Sequence, residues 1–159
     1  MLRMVTLRGM NEQEYEVFVH QSAIDYAEDK VKAGTWVAEE ALQLSVEEMQ
    51  RFLPQGLNTP NTYLYAVVDP VLDIKVGYLW IHLTDGPLGR SAFIYDIAIH
   101  KDYQGKGYGT STMSALEEEA SRLRVDKISL HVFGHNKIAF GLYQKMGYQV
   151  TDISMSKQL

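Results

Sequence analysis

Three glycines alternate with other residues in the stretch QGKGYG, from Gln104 to Gly109, immediately before a strong helical pattern. Because glycine lowers helix stability by about 0.5–1 kcal/mol relative to alanine, a cluster at a helix start needs a local reason. The first N–H groups of a helix have no acceptor inside it, and the helix dipole adds partial positive charge there. Glycines leave those amides accessible, and Lys106 adds a formal charge. The pattern therefore predicts a main-chain cradle for a phosphate or pyrophosphate group.

Two common nucleotide-binding patterns are absent from this stretch. The pattern G-x-G-x-x-G, begun at Gly105, would need glycine where Thr110 stands. No G-x-x-x-x-G-K-[ST] run occurs anywhere in the chain. The sequence therefore disfavours dinucleotide and P-loop sites. The alternative is an ordinary glycine loop, in which the glycines serve backbone conformation alone.

Asp96 is the one charged residue in the stretch SAFIYDIAIH, which predicts a strand in the centre of a sheet. Burying an unpaired carboxylate is costly and tends to raise its pKa, which suits a general base. The alternative is a structural aspartate that is hydrogen-bonded to neighbouring strands. Strand alternation would place four residues on one face: Ile94, Asp96, Ala98 and His100.

Two histidines, His131 and His135, lie four residues apart but straddle the end of a predicted strand. No third ligand stands at a recognisable spacing, and the chain has no cysteine. The sequence therefore predicts no metal site. His131 could assist Asp96 as a base, although a partly exposed histidine is the commoner outcome.

The elements that must position these residues follow a mixed order of strands and helices. Strands are predicted over residues 2–8, 62–68, 74–83, 91–100, 127–133 and 148–155. Helices are predicted over residues 12–32, 37–54, 108–124 and 136–146. Within the second of these, Ser45 with Glu48 three residues later could cap a separate helix.

This order predicts a single α/β domain spanning residues 1–159, because no repeat, linker or low-complexity segment interrupts it. The hairpins near residue 70 and residue 87, together with two later β-α-β steps, predict a mixed central β-sheet with helices on both faces. The glycine stretch follows the central strand, at the end where open α/β sheets bind ligands.

The composition excludes several classes of function. The net charge is −5 and the pI is near 5.5, which argues against binding to nucleic acid or an anionic membrane. No apolar run approaches the ~18 residues of a membrane span, and residues 1–18 lack the pattern of a signal peptide. These observations favour a cytoplasmic protein, and an acidic cleft would attract amines.

Two motifs together resemble the GNAT family of N-acetyltransferases. Residues 104–109 are similar to its [QR]-x-x-G-x-[GA] signature, and HVFGHNKIAFGLYQKMGY (residues 131–148) is similar to its second hallmark. The predicted element order is also that of the family, so the resemblance covers essentially the whole chain. YAEDKVKAGTW and DISMSKQL further resemble a bacterial subgroup whose acceptor is unassigned.

The resemblance implies that acetyl-CoA is the co-substrate. The loop amides would hold its pyrophosphate, and the backbone of a splayed central strand would pair with its pantetheine arm. Asn136 would cap its helix and contact the cofactor. The implied cofactor-binding residues are Ile97, Ala98, Ile99, Gln104, Gly105, Lys106, Gly107, Tyr108, Gly109, Thr110, Asn136 and Tyr143.

The resemblance also implies a direct transfer of acetyl to a primary amine in a ternary complex. Tyr143 would protonate the departing thiolate, and Asp96 would deprotonate the amine. Without the motif, the commoner role for Tyr143 would be packing in the core with its hydroxyl hydrogen-bonded. Amides near Ile99 could polarise the thioester carbonyl.

Three aromatic residues, Tyr26, Trp36 and Trp80, are candidates for the acceptor pocket, although core packing is the more frequent fate of such residues. The acids Glu28, Asp29, Glu39 and Glu40 are expected on a solvated helix face. If some of them line the cleft, they favour a cationic acceptor. The acceptor's identity and a homodimer stay open.

Two other functions remain open at this point. A non-catalytic acyl-CoA-binding or regulatory module would keep the cofactor loop without turnover. An unrelated anion-binding α/β protein would bind sulfate or nucleotides without preference for coenzyme A.

Overall fold

The structure is a computed structural model that describes residues 4–159. These residues form five strands and four α-helices. The strands are β1 (Thr6–Gly9), β2 (Thr62–Asp69), β3 (Ile74–Gly86), β4 (Gly89–Ile99) and β5 (Lys127–Leu130). The α-helices are α1 (Glu12–Lys32), α2 (Ala38–Phe52), α3 (Tyr108–Arg122) and α4 (Lys137–Lys145). The predicted order is confirmed up to α4.

One mixed sheet orders the strands β1-β2-β3-β4-β5. The first three pairings are antiparallel. Short turns connect β2 to β3 and β3 to β4, whereas α1 and α2 lie between β1 and β2. Strand β5 pairs with β4 in parallel, and α3 makes the crossover between them. This is the mixed α/β sheet that the sequence predicts.

The two faces of the sheet carry separate apolar clusters, which the alternation along β3 illustrates. Tyr78 and Trp80 pack with Phe18 of α1 and Met49 of α2 on one face. Leu79 and Ile81 pack on the other face, with Met113 and Leu116 of α3 among others. Helices therefore cover both faces, as predicted.

The two N-terminal helices are anchored by local hydrogen bonds. A capping box starts α1, in which the side chains of Asn11 and Glu14 each accept the backbone N–H of the other residue.

The prediction that Ser45 caps a separate helix is wrong. Ser45 lies inside α2, is fully buried, and donates to the carbonyl of Ala23 at 2.7 Å. Its polar side chain thus ties α2 to α1.

A bulge divides β4 into two halves. Trp80 of β3 pairs with Asp96, but the next residue, Ile81, pairs with Ile94, so Tyr95 is the extra residue. Because the bulge breaks the alternation, Ile94 joins the α3 face while Asp96 and Ala98 join the α1 face. The prediction that Ile94 and Asp96 share a face is therefore wrong.

The parallel pair of β4 and β5 separates beyond the bulge. The register runs from Ser91 with Lys127 to Ile94 with Leu130. Within residues 4–159, β4 continues to Ile99 without a β5 partner. The expected splayed central strand pair is thereby confirmed.

The C-terminal part of the chain differs from the sequence prediction. Strand β5 ends at Leu130 instead of residue 133, and residues 148–155 form no strand in the described chain. Consequently a single β-α-β step occurs where two were predicted. Within residues 4–159 no strand pairs with β5 on its other side, and residues 149–159 are exposed.

At the other end, the first strand begins at Thr6, and Leu2 and Arg3 of its predicted range lie outside the described residues. In the part of the chain that is described, no helix has both the length and the apolar character needed to cross a membrane.

Candidate functional site

A cavity of about 320 Å³ opens where β4 and β5 separate. Helices α1 and α2 form one wall, and the second half of β4 with the segment after β5 forms the other. Six of the residues singled out from the sequence line it: Tyr26, Trp80, Asp96, Ile97, Asn136 and Tyr143. His131 lines it as well. Such a volume is at the lower end of the range for small-molecule sites.

Asp96 lies on the α1 side of the cavity and accepts a hydrogen bond from Ser22 Oγ, which lies 2.5 Å from its Oδ2. Burial raises the pKa of Asp96 to about 6, and the charge of Asp25 adds to that increase. The Ser22 hydrogen bond and the nearby Tyr78 phenol and Ile97 amide oppose it. A carboxylate with this pKa can accept a proton near neutral pH.

Tyr143 lies on α4 and lines the same cavity as Asp96. Burial raises its pKa, and the negative charge of Asp96 raises it further, so the phenol keeps its proton at neutral pH. Its ring contacts Tyr148 edge-on, with centroids 5.9 Å apart. The cavity thus combines a proton acceptor on β4 with a proton donor on α4.

The glycine loop lies beyond the end of β4 and does not line the cavity in the described chain. Gly105 and Gly107 have φ of +75° and +89°, a left-handed backbone that other residues rarely adopt. Gly107 is the N-cap of α3, and within residues 4–159 no side chain caps this helix and no acidic residue lies in its first turn. The helix start is therefore open to an anion.

Three further loop residues have separate roles. Gln104 Nε2 donates to the carbonyl of Ile99 at 2.9 Å, which fixes the loop to the end of β4. Lys106 Nζ lies 6.0 Å from the ring centroid of Tyr103. The Tyr108 side chain is buried and donates to Asp69. Tyr108 therefore anchors the helix through its side chain, whereas its predicted role involves its amide. Gly109 and Thr110 lie in the first turn of α3.

The second half of β4 presents an open edge to the cavity. Ile97, Ala98 and Ile99 pair with β3 through Leu79, Tyr78 and Gly77. On the other side the described chain offers no strand partner. Gly77 permits close approach, because a Cβ there would stand 2.1 Å from the Ala98 carbonyl oxygen. An extended ligand could therefore bind along this edge as an added strand.

The remaining predicted residues lie around the cavity mouth. Asn136 caps α4 by accepting the Ala139 N–H at 3.3 Å. Trp36 does not line the cavity; it packs edge-on against Tyr26, with ring centroids 5.6 Å apart. Of the four acids on the helices, Asp29 lines the cavity, and Glu28, Glu39 and Glu40 do not. His135 Nε2 lies 2.8 Å from Asp29 Oδ1.

Sequence reasoning missed several residues of the site. Ser22 carried a signal, because it is the polar member of the buried set of α1, beside Phe18, Ala23 and Ala27. Tyr78 also carried one, since it lies two residues before Trp80 and shares its face of β3. Tyr95 gave no signal, because its position depends on the bulge. Its ring stacks on Trp80, with centroids 4.8 Å apart.

Comparisons with known proteins agree with this fold. Residues 28–148 match the model of the acetyltransferase (GNAT) family. The N-acetyltransferase YycN of Bacillus subtilis strain 168, itself uncharacterized, is 41% identical over 155 residues, covering 98% of this chain and 99% of that protein. YdgE of the same organism, likewise an uncharacterized N-acetyltransferase, is 34% identical over 154 residues, with 97% and 98% coverage.

Solved structures have the same architecture. The crystal structure of YycN superimposes with a TM-score of 0.94 and covers 98% of this chain and 99% of that one. A Clostridium acetobutylicum protein crystallised with acetyl-CoA gives a TM-score of 0.64 at 18% identity, with 98% and 96% coverage. At that identity the second likeness establishes the fold alone.

Proposed function

This chain belongs to the GNAT family of acetyltransferases, and from that premise we propose that it transfers the acetyl group of acetyl-CoA to a primary amine by direct attack. The observation that carries the proposal is the shared cavity of Asp96 and Tyr143, at the point where β4 and β5 separate. A proton acceptor and a proton donor in one cavity are what this reaction requires.

The residues present fit acetyl-CoA. The open start of α3, with its flanking glycines and Lys106, suits the pyrophosphate. The free edge of β4 at residues 97–99 suits the amide-bearing pantetheine arm. Gln104 connects the two, because its side chain holds the Ile99 carbonyl. The bound co-substrate would supply an activated thioester, and the crystal structure of the Clostridium acetobutylicum protein contains acetyl-CoA.

The reaction removes two protons from the ammonium nitrogen and adds one to the sulfur. Amines are protonated at neutral pH, so Asp96, directly or through water, would first take a proton from the ammonium group and later release it to solvent. The nitrogen lone pair would then form the new C–N bond as the C–S bond breaks. Tyr143 would donate its phenolic proton to the departing sulfur, and the second proton leaving the nitrogen would restore the phenol. Holding both substrates in one cavity would supply a large part of the acceleration.

Replacing Tyr143 with phenylalanine tests the proposal most specifically. The variant keeps the ring and loses the proton donor, so we expect turnover to fall about 10²- to 10⁴-fold. Affinity for acetyl-CoA should change little. The measurement is release of the coenzyme A thiol with a panel of primary amines, together with calorimetric binding of acetyl-CoA.

Tyr148→Phe is the matched control, because Tyr148 contacts Tyr143 but does not line the cavity. Its hydroxyl is buried without a hydrogen-bond partner in the described chain, so its removal should leave turnover unchanged. Unchanged turnover in Tyr143→Phe would contradict the acid assignment. Binding of acetyl-CoA without turnover of any amine would favour a non-catalytic acyl-CoA-binding module instead.

A further inference from the structure

One stripe of α1 faces the cavity and carries two carboxylates. Ser22, Asp25, Tyr26 and Asp29 follow the spacing of one helical face, and all four line the cavity. Glu48 of α2 lines it as well and is close enough to Tyr26 to raise the pKa of that phenol. No lysine or arginine is among the described lining residues. The wall opposite β4 is therefore acidic.

Asp25 differs from the other two acids in its partners. Asp29 lies against His135, and Glu48 lies 3.3 Å from Arg51 Nη2. Asp25 accepts a hydrogen bond from the neutral amide of Gln21 at 2.9 Å, and within residues 4–159 no cation lies within ion-pairing distance of it. It is close enough to Asp96 to raise that residue's pKa. The cavity thus holds two neighbouring carboxylates, Asp25 and Asp96, without a protein cation.

Aromatic groups complete this part of the cavity. Trp80 stacks on Tyr95, and the Phe52 ring lies 5.0 Å from Tyr95. Aromatic faces attract ammonium groups and pack against methylene chains. Trp80 is 3% exposed and lines the cavity, yet its Nε1–H has no hydrogen-bond partner in the described chain. A buried donor left unpaired in a cavity wall indicates a ligand atom that accepts from it; because ammonium groups only donate, that atom would belong to the acetyl donor and not to the amine.

We infer that the acceptor is a small amine with a second ammonium group, and that Asp25 binds this second group while the reacting amine lies at Asp96. The inference rests on the proposed function, which provides the role of Asp96. Asp25 acts here as a binding residue and takes no part in proton transfer. The aromatic rings would contact the carbon chain between the two nitrogens.

The two carboxylates in the cavity favour a free diamine over a lysine side chain of a protein. A volume of about 320 Å³ can enclose a short diamine, and the acids that surround it would hold both nitrogens. A protein lysine has one side-chain ammonium group and would leave Asp25 without a partner.

The test measures binding separately from turnover. Propane-1,3-diamine, butane-1,4-diamine and pentane-1,5-diamine are titrated calorimetrically into the protein with coenzyme A present, each beside the monoamine of equal carbon number. We expect at least one diamine to bind about 10- to 100-fold more tightly than its monoamine, as one charge-assisted hydrogen bond provides. Asp25→Asn should remove this preference. The control is Glu28→Gln, which makes the same charge change on α1 outside the cavity and should retain the preference.

The outcomes separate the two proposals. Equal affinity for diamines and monoamines, or an unchanged preference in Asp25→Asn, would overturn the inference even if amines are acetylated. A diamine preference that depends on Asp25, without acetyl transfer, would support the inference and contradict the proposed function. Tighter binding of a lysine peptide than of any diamine would also overturn the inference. If no amine binds or reacts, both proposals fail.

Discussion

The two halves of β4 belong to one extended strand, but they differ in how many neighbouring strands pair with them. From Gly89 to Ile94 the strand is paired on both sides, with β3 and, from Ser91, with β5. From Asp96 to Ile99 the described chain pairs it with β3 alone. Ala92 in the first half is buried in the core away from the cavity, whereas Asp96 in the second half lines the cavity. One strand therefore serves as framework at one end and as binding edge at the other.

The bulge at Tyr95 produces this difference. It moves the carboxylate of Asp96 onto the α1 face, where Ser22 donates to it and the Tyr78 phenol lies nearby. The separation of β5 beyond Leu130 then opens the space beside it. The half of β4 that pairs on both sides thus belongs to the core, and Asp96 and Tyr143 lie beside the other half.

Asp96→Asn should remove the proposed base beside the second half of β4 while leaving the strand pairing of the first half intact. The amide cannot take a proton from the amine, so kcat should fall about 10²- to 10⁴-fold. In the unmodified protein the carboxylate must be ionised to act. Because its pKa is about 6, activity should fall as the pH drops through about 6. A pH profile of kcat/KM measures this, and an unchanged profile in Asp96→Asn would contradict the base assignment.

Gly77→Ala tests how tightly β3 holds the open half of β4. The added Cβ would stand 2.1 Å from the Ala98 carbonyl oxygen, so the backbone of one strand must move. We expect a loss of at least about 1–3 kcal/mol in the free energy of unfolding, measured by urea denaturation. Gly9→Ala in β1 is the control, because nothing lies within 4 Å of the Cβ position there. Equal losses in both variants would show that the close contact has no role.

Gly107→Ala tests the loop that follows the open half. Its φ of +89° should cost a residue with a Cβ about 1–2 kcal/mol of stability. The added methyl group should also weaken acetyl-CoA binding, because it projects beside the start of α3. Gly34→Ala, at φ +76° after α1, should cost similar stability without changing the Kd for acetyl-CoA. Calorimetric titration of acetyl-CoA into both variants measures this difference. Equal Kd values in the two variants would contradict the proposal that this loop binds the pyrophosphate.

Ser22→Ala should have the smallest effect and refines the account of Asp96. The Ser22 hydrogen bond lowers the pKa of Asp96, so its loss should raise that pKa. The acidic limb of the pH profile should therefore shift to higher pH, while kcat on the high-pH plateau changes little. If Ser22 had only a structural role, Ser22→Ala would lower the free energy of unfolding and leave the acidic limb of the pH profile unchanged.

Much of the fold could be predicted from the sequence because its signals are local. Hairpin turns and helical periodicity gave the element order as far as α4. The end of β5 and the unpaired segment 148–155 could not be predicted, because strand pairing depends on neighbours that are distant in sequence. Ser45 was misassigned because a hydroxyl near acidic residues suits a helix cap as well as an interhelical bond.

Site residues that belong to a sequence motif could be predicted, whereas those that depend on the three-dimensional arrangement could not. The residues Asp96, Asn136 and Tyr143 were identified before the structure and line one cavity. Their roles in catalysis and binding stay predictions. The bulge, and with it the face of Asp96, has no signature in the sequence. Asp25 was likewise missed, because nothing in the sequence distinguishes it from other acids on α1.

The most direct test of the central claim is the thermal stability of the protein with saturating acetyl-CoA, beside ATP and NAD. A ligand at about 100 times its Kd stabilises the folded state by about 2.7 kcal/mol. For a chain of this length that corresponds to a rise in Tm of about 5–10 °C. The account predicts this rise with acetyl-CoA alone. No rise, or an equal rise with ATP, would reduce the glycine loop to a general anion site and contradict the proposed acetyl-CoA-dependent reaction.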